Sequence, residues 1–288
     1  MGEAPLRESW LRRTFIHARG VGRELERSLW ASGVTDWESF RAAPSIRGVG
    51  PARRQAILDE IARSEERLAR GDARYFAELL SAGEAWRLWP DFRSRTAFLD
   101  IETDGGPPGR AVTLVGVYAG GRAELFARGV NLDDLPAALE PFDVWVTYNG
   151  LRFDEPYLRE EFGERIRPSA HIDLMYGLRA VGLRGGLKAI EQELGVPRPE
   201  ALRGLDGWDA VRLWGEYMSG RTNSLRVLAE YNLQDVLNLE PLLAECAARH
   251  ARNRGMPFMN VESAASPQVR SSAAARALER LGALGGFW

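Results

Sequence analysis

Four stretches of the chain differ in how apolar and polar positions alternate. Residues 1–70 carry short helical patterns, with Ala52, Ala56, Ile57 and Ile61 recurring at helix spacing. Residues 71–95, GDARYFAELLSAGEAWRLWPDFRSR, read as a connector with helix and aromatics. From 96 to 250, strand-like runs alternate with helical ones. TAFLDI (96–101), VTLVGVY (112–118), Ala123–Phe126 and VWVTY (144–148) are expected strands; helices are expected at 132–139, from about Glu155, at 187–194, at 210–218 and at 225–249. An early meander and a later strand, flanked by helices, predict an α/β layer fold with a mixed sheet. Residues 251–288 are rich in Ala, Ser, Gly and Arg, and predict a flexible tail with one short helix at about 273–284.

Composition narrows the class. Apolar residues make up 45% and charged residues 27%, as in an ordinary soluble protein, and no apolar run approaches the roughly eighteen residues of a membrane span. The first residues, MGEAPLRESW, lack a basic-then-apolar signal layout. Cys246 is the only cysteine, which excludes a disulfide within the chain and a zinc cluster of cysteines; the expected compartment is a reducing cytoplasm. Net charge is −2, so the whole chain is no basic nucleic-acid binder, although residues 1–95 hold 17 Arg against 14 acidic residues. Nearly every basic residue is arginine; Lys188 is the single lysine.

Within 1–70 a small echo appears. Gly20-Val21-Gly22 and Gly48-Val49-Gly50 each open a helical run. Paired glycines permit a tight turn and leave bare amides at a helix start, which suits a phosphate. The pattern resembles the helix-hairpin-helix module, which grips nucleic-acid backbones without reading sequence. Gly48 and Gly50 make the better copy, because Ile46 precedes them and an apolar helix face follows.

Three acidic elements carry the candidate chemistry. Asp100 and Glu102 lie two apart at the end of a strand, so they share a face. Two adjacent like charges are costly unless a cation neutralises them, and Mg²⁺ or Mn²⁺ prefers such oxygens. Asp154 follows the strand VWVTY and the turn Asn149-Gly150, at a helix start. There it serves equally well as an N-cap or as a third ligand. Tyr231 and Asp235, four apart in LRVLAEYNLQDVLNLEPLL, share a helical face flanked by Leu228, Val236 and Leu239. A buried Asp there needs a partner or a metal.

Together, D-I-E at 100–102, YNGLRFD at 148–154 and YNLQD at 231–235 resemble the DEDD family of 3′→5′ exonucleases, tyrosine subclass, in the ribonuclease-H-like superfamily. The match runs over about 96–247. With the N-terminal module it also resembles a prokaryotic branch of predicted exonucleases. The resemblance implies a ribonuclease-H-like sheet at 96–250 preceded by a small all-α nucleic-acid-binding domain at 1–70. It implies that Asp100, Glu102, Asp154 and Asp235 hold two divalent ions, Mg²⁺ or Mn²⁺, with Tyr231 orienting the attacking water. Thr103 and Asn149 would lie near the terminal nucleotide, though both also suit turns. The implied partner is DNA or RNA, and the implied activity is stepwise hydrolysis from a 3′ end. A structure-specific endonuclease on the same fold and a non-catalytic nucleic-acid-binding protein are the competing readings.

Other residues take plainer roles. Asp173 is expected to be structural, Asp104 a turn residue, and His171 falls outside the family pattern. Lys188 follows two glycines at a helix start and suits a phosphate contact or a solvated face. Trp208 and Trp214 are expected in the core, with a stacking platform for bases as the alternative. The Gly-Phe-Trp end is a candidate docking segment for a protein partner. No P-loop, GxSxG or HExxH pattern is present.

Overall fold

The computed structural model describes residues 9–106, 112–256 and 264–286. The N-terminal helices are α1 (Arg23–Ala31), α2 (Trp37–Ala42), α3 (Pro51–Ala69), α4 (Ala73–Leu79) and α5 (Trp89–Phe92). Strands β1 (Thr96–Thr103), β2 (Val112–Ala119) and β3 (Arg122–Ala127) form the meander. Then come α6 (Leu135–Leu139), β4 (Val144–Thr147), α7 (Asp154–Phe162), β5 (Ala170–Asp173), α8 (Leu174–Ala180), α9 (Leu187–Leu194), α10 (Gly207–Met218), α11 (Thr222–Arg254) and α12 (Pro267–Gly285).

The five strands make one mixed sheet in the order β3-β2-β1-β4-β5. β1 pairs antiparallel with β2 and parallel with β4, and β4 pairs parallel with β5. This is the expected α/β fold. β1 alternates faces: Ala97, Leu99 and Ile101 join the core under α6 and α7, whereas Phe98 joins the larger core under α11. The even-numbered residues of β1, Asp100 and Glu102 among them, therefore face the α11 layer.

Helix ends follow local chemistry. Asp36 caps α2 in a capping box with Ser39, and Asp206 caps α10 with Asp209. Pro51 opens α3 directly after Gly50, and α11 stops at Gly255 in the left-handed region, φ 61°. Three elements differ from the sequence expectation, among them α8 (Leu174–Ala180), where no helix is expected. β5 is only four residues long, too short to show a period, and no strand is expected there. The short helix at 273–284 is α12, 19 residues from Pro267 to Gly285, started by the Ser266 side chain on Val269 N. It buries Ala273, Ala277 and Leu281 against β3 and α11, so this part of the expected flexible tail is packed. The Phe287-Trp288 end and the first eight residues lie outside the described residues.

The helical N-terminal region shares one apolar core with the α11 side of the sheet, from Trp10 and Phe40 through Trp86 to Leu228. Arg87 is fully buried at the junction. It donates to Glu26 (2.9 and 2.7 Å) and to Glu84 (3.0 Å). Arg254, at the end of α11, donates twice to the same Glu84 at 2.6 Å. Next to Arg87, Trp86 stacks on His250 of α11 with ring centroids 4.9 Å apart. Among the described residues no helix is long and apolar enough to cross a membrane.

Candidate metal centre

The carboxylates gather where the carboxyl ends of parallel β1 and β4 meet α11, the usual crevice of an open α/β sheet. Glycine makes the approach of α11 feasible. Gly116 of β2 lies opposite Asp100 in register. A Cβ there would stand 2.2 Å from Asn232 Oδ1 and 2.9 Å from Val236 Cγ2. With hydrogen in that place, Asn232 reaches over the strand. Its Nδ2 donates to Asp100 Oδ2 (3.0 Å), to the Asp100 carbonyl (3.2 Å) and to Glu102 (3.4 Å). Tyr231 and Asp235 flank Asn232 on the buried side of α11. Asp100, Glu102 and Asp235 each present an oxygen within 4.8 Å of the others.

Asp154 arrives by a strained turn. After β4 the chain passes through Asn149 in the left-handed region, φ 65°, the only described non-glycine there. Gly150 follows, where a Cβ would strike Thr147 Oγ1 at 2.2 Å. The turn is held by Asp173 at the end of β5, which accepts from Asn149 N (2.8 Å) and Leu151 N (3.2 Å) while capping α8 at Met175 N (3.0 Å). Asp173 is structural, as expected. Asp154 then opens α7 as a buried residue, and its Oδ1 has no hydrogen-bond partner.

Burial and mutual repulsion push the carboxyls upward. Asp100 is raised well above the ordinary range by burial, then by Asp154, Glu102 and Asp235. Glu102 is raised by burial and Asp235, against the Asn232 hydrogen bond. Asp154 rises to about 7, chiefly through burial. Asp235 is also raised by burial, against the pull of Arg198. A set of hard oxygen donors in this condition fits a divalent cation, which would offset both the desolvation and the repulsion. The unpartnered Asp154 Oδ1 supports the fit.

Two cations border the acidic set. Lys188 of α9 donates to the Tyr231 hydroxyl, with its Nζ 4.4 Å from the ring centre, so it belongs to this site and not to a solvated face. Arg198 is shared by Asp235 and Glu191; its three contacts to Glu191 span 2.8–3.0 Å. Asn238, one turn beyond Asp235, donates to the same Glu191 at 2.8 Å.

A family model described as the RNase H superfamily matches residues 97–247, just over half of the chain. The chain belongs to the RNase H superfamily. The matched span holds the whole sheet apart from its first residue and ends inside α11, so all four carboxylates fall within it. No curated protein matches the chain. Among solved structures, the family B DNA polymerase from the hyperthermophilic archaeon Pyrobaculum calidifontis is similar, at 21% identity and a TM-score of 0.39. That likeness covers 65% of this chain and 29% of the polymerase, so the chain spans under a third of that protein.

Within this superfamily domain the other sequence candidates have definite places. Thr103 ends β1 at a bulge, and its hydroxyl accepts from Gly105 N at 3.4 Å. Thr103 and Asn149 thus both serve turns at the rim of the site. Gly48 and Gly50 lie before that domain, in the turn between α2 and α3, outside the acidic cluster. His171 bridges Thr147 (2.8 Å) and Glu155 (2.9 Å), apart from the ligand set. Trp214 is buried as expected, but Trp208 is not: it is 79% exposed. The six-residue spacing turns the helix through about 600°, which puts the two rings on different faces. Arg198, Glu191 and the bridging role of Asn232 are not foreseen in the sequence. Asn232 stands inside the YNLQD motif; Arg198 is one arginine among many, 37 positions from Asp235.

Proposed function

We propose that this RNase H superfamily member is a two-metal-dependent 3′→5′ exonuclease of the tyrosine subclass, acting on DNA or RNA in the cytoplasm. The observation that carries the reading is the meeting of Asp100, Glu102 and Asp235 oxygens within 4.8 Å, with the Oδ1 of Asp154 unpartnered beside them and Tyr231 at the same place. Asp100, Glu102, Asp235 and Asp154 would hold Mg²⁺ or Mn²⁺, which when bound supply an activated water and offset charge on the leaving oxygen.

The chain's own residues do the rest. Asn232 fixes Asp100 and Glu102 in one orientation through its amide. Burial keeps the Tyr231 phenol protonated, its pKa raised further by Asp235, Glu102 and Asp100, so the hydroxyl can donate to the attacking water. Lys188 donates to that hydroxyl, whose own proton goes to the Asp235 carboxylate and would turn from there to the attacking water.

In the same reading, residues 1–70 grip the backbone, 71–95 connect, and 96–250 cut. The support is local: Gly20 and Gly48 both take left-handed φ, 82° and 81°, and both adjoin Arg53. Arg53 donates to the Gly48 carbonyl at 3.1 Å, and its Nε lies 3.9 Å from the Cβ position of Gly20. The two Gly-Val-Gly turns thus share one guanidinium, whose charge suits a phosphate.

The test is a product ladder from 3′- and 5′-end-labelled DNA and RNA with Mg²⁺ or Mn²⁺. Stepwise loss from the 3′ end, abolished by chelator, is expected. Internal fragments would favour an endonuclease. Failure to cut any strand with either metal would sink the enzyme reading.

A further inference from the structure

We propose that Arg198 is a positioning residue that competes with a divalent cation for Asp235, and that Glu191 sets the strength of this competition. The proposal rests on the reading that the acidic set holds divalent cations, and concerns how tightly it holds them.

Arg198 comes from the loop after α9, yet it is built into the acidic set. Proline on either side, Pro197 and Pro199, restricts its backbone. Gln234 of α11 donates to the Pro197 carbonyl at 3.3 Å and to Asn238 Oδ1 at 2.9 Å. Asn238, oriented in this way, donates to Glu191 at 2.8 Å. Glu191 accepts in turn from Arg198, from Nε at 3.0 Å and from Nη2 at 2.8 and 2.9 Å. The same Nη2 donates to Asp235 Oδ1. Gln234, Asp235 and Asn238, neighbours on one turn of α11, thus all bear on a single guanidinium.

These charges are nearly out of water. The side chains of Arg198 and Asp235 are each 8% exposed, and that of Glu191 is 3% exposed. Solvent screens charges so placed only weakly, so each acts on the others and on whatever binds Asp235.

The Glu191 pair alone would suffice to fasten the loop to α9. The contact with Asp235 adds something else. Asp235 also presents an oxygen to the group it forms with Asp100 and Glu102. A cation drawn to that group meets a guanidinium already bonded to one of its ligands, and the two positive charges repel. Arg198 therefore makes the cation bind less tightly than the carboxylates alone would. Glu191 offsets part of the guanidinium charge and limits this penalty. Asn232, by contrast, holds Asp100 and Glu102 with an uncharged amide and opposes no cation. The arrangement steadies Asp235 in the metal-free fold and leaves the cation exchangeable.

The test uses the full chain, stripped of metal by chelator and titrated with Mn²⁺ alone, followed by calorimetry. Arg198→Met should move the midpoint to about tenfold lower Mn²⁺, the size usual for groups that border a metal's ligands. Glu191→Gln, which leaves the guanidinium uncompensated, should move it about tenfold the other way. The double variant restores the balance of charge and should return towards the parent. An arginine that only fastened the loop would give the opposite sign for Arg198→Met, because a loosened Asp235 binds less well. If Arg198→Met does not fold, Glu191→Gln decides alone.

Unchanged or weaker Mn²⁺ binding in folded Arg198→Met, or unchanged or tighter binding in Glu191→Gln, overturns the role of Arg198 while the metal reading stands. A parent chain that takes up no Mn²⁺ overturns both. The expected shifts in a chain that cuts no strand leave Arg198 in its role and remove the nuclease reading alone.

Discussion

Two buried ionic clusters in this molecule are built to opposite accounts of charge. At the junction of the N-terminal helices with α11, Glu26 and Glu84 meet Arg87, Arg254 and the half-exposed Arg23. Every carboxylate has a guanidinium, and the pairing is close enough to hold Glu84 down at about 2 despite its burial. At the end of β1, five carboxylates including Glu191 face, among the described residues, Lys188 and Arg198, and Asp100, Glu102, Asp154 and Asp235 are raised. The first cluster is complete by itself and holds parts together. The second carries an excess of negative charge that folding alone would not keep. Unbalanced buried charge marks the functional place better than buried charge as such.

The largest expected effect comes from Asp100→Asn. It should lower hydrolysis roughly a thousandfold or more. The metal-free protein should lose no stability, because a repelling charge is gone; melting curves and initial rates measured together check this. A fall in melting temperature comparable to that of a core substitution would break the contrast.

Next in size is Arg87→Met in the balanced cluster. Removing Arg87 strands Glu26 as a buried charge, at a cost of about 3–5 kcal/mol, while Glu84 keeps Arg254 and Arg23. Denaturant titration should show that loss, or the chain should fail to accumulate in folded form. A loss below about 1 kcal/mol would mean that the pairing is worth no more than a surface ion pair.

The smallest effect concerns pH. Asp154 has its folded pKa raised from 3.8 to about 7, so the folded state binds the extra proton between those values. Its penalty on stability is absent below the unfolded pKa and fully present above about 7, the reverse of the usual carboxylate. Cations must displace those protons. The rise in melting temperature on adding Mg²⁺ or Mn²⁺ should therefore grow from about pH 5.5 to about pH 8. Asp154→Asn should raise the metal-free melting temperature at pH 8 by a few degrees, roughly 2–4 °C. An increment flat across this range would show that these carboxyls are ionised throughout. Glu84 works the other way: its contribution is present above its unfolded pKa and is lost as pH falls towards 2.

How much of this was legible depends on how local each cause is. The face shared by Asp100 and Glu102 follows from strand alternation, and that shared by Tyr231 and Asp235 from helix spacing. Both could be read directly, and with them the mixed α/β sheet. Asp154 was legible as a candidate; its approach depends on Asn149, Gly150 and Asp173 acting together, and Asp173 sits on a strand too short to show a pattern. Arg198 could not be read, because its partners Asp235 and Glu191 come together only in three dimensions. Gly116 looks like a weak point in a strand; its purpose appears only when Asn232 is seen above it. Trp208 lies outside the expected core because six residues of separation turn its ring away from Trp214.

α11 runs as one helix from Thr222 to Arg254, continuing through Pro241. Asp235 and Arg254 sit on the same rod, 19 residues and about 28 Å apart at helical rise. The far end is clamped to Glu84, and through Arg87 to the helices that carry the two Gly-Val-Gly turns. Those turns and the acidic cluster are therefore held at a set separation, like the jaws of a caliper locked at one gauge. A strand held at both places, as proposed, must be long enough to bridge that gap, and a shorter one would engage only one jaw.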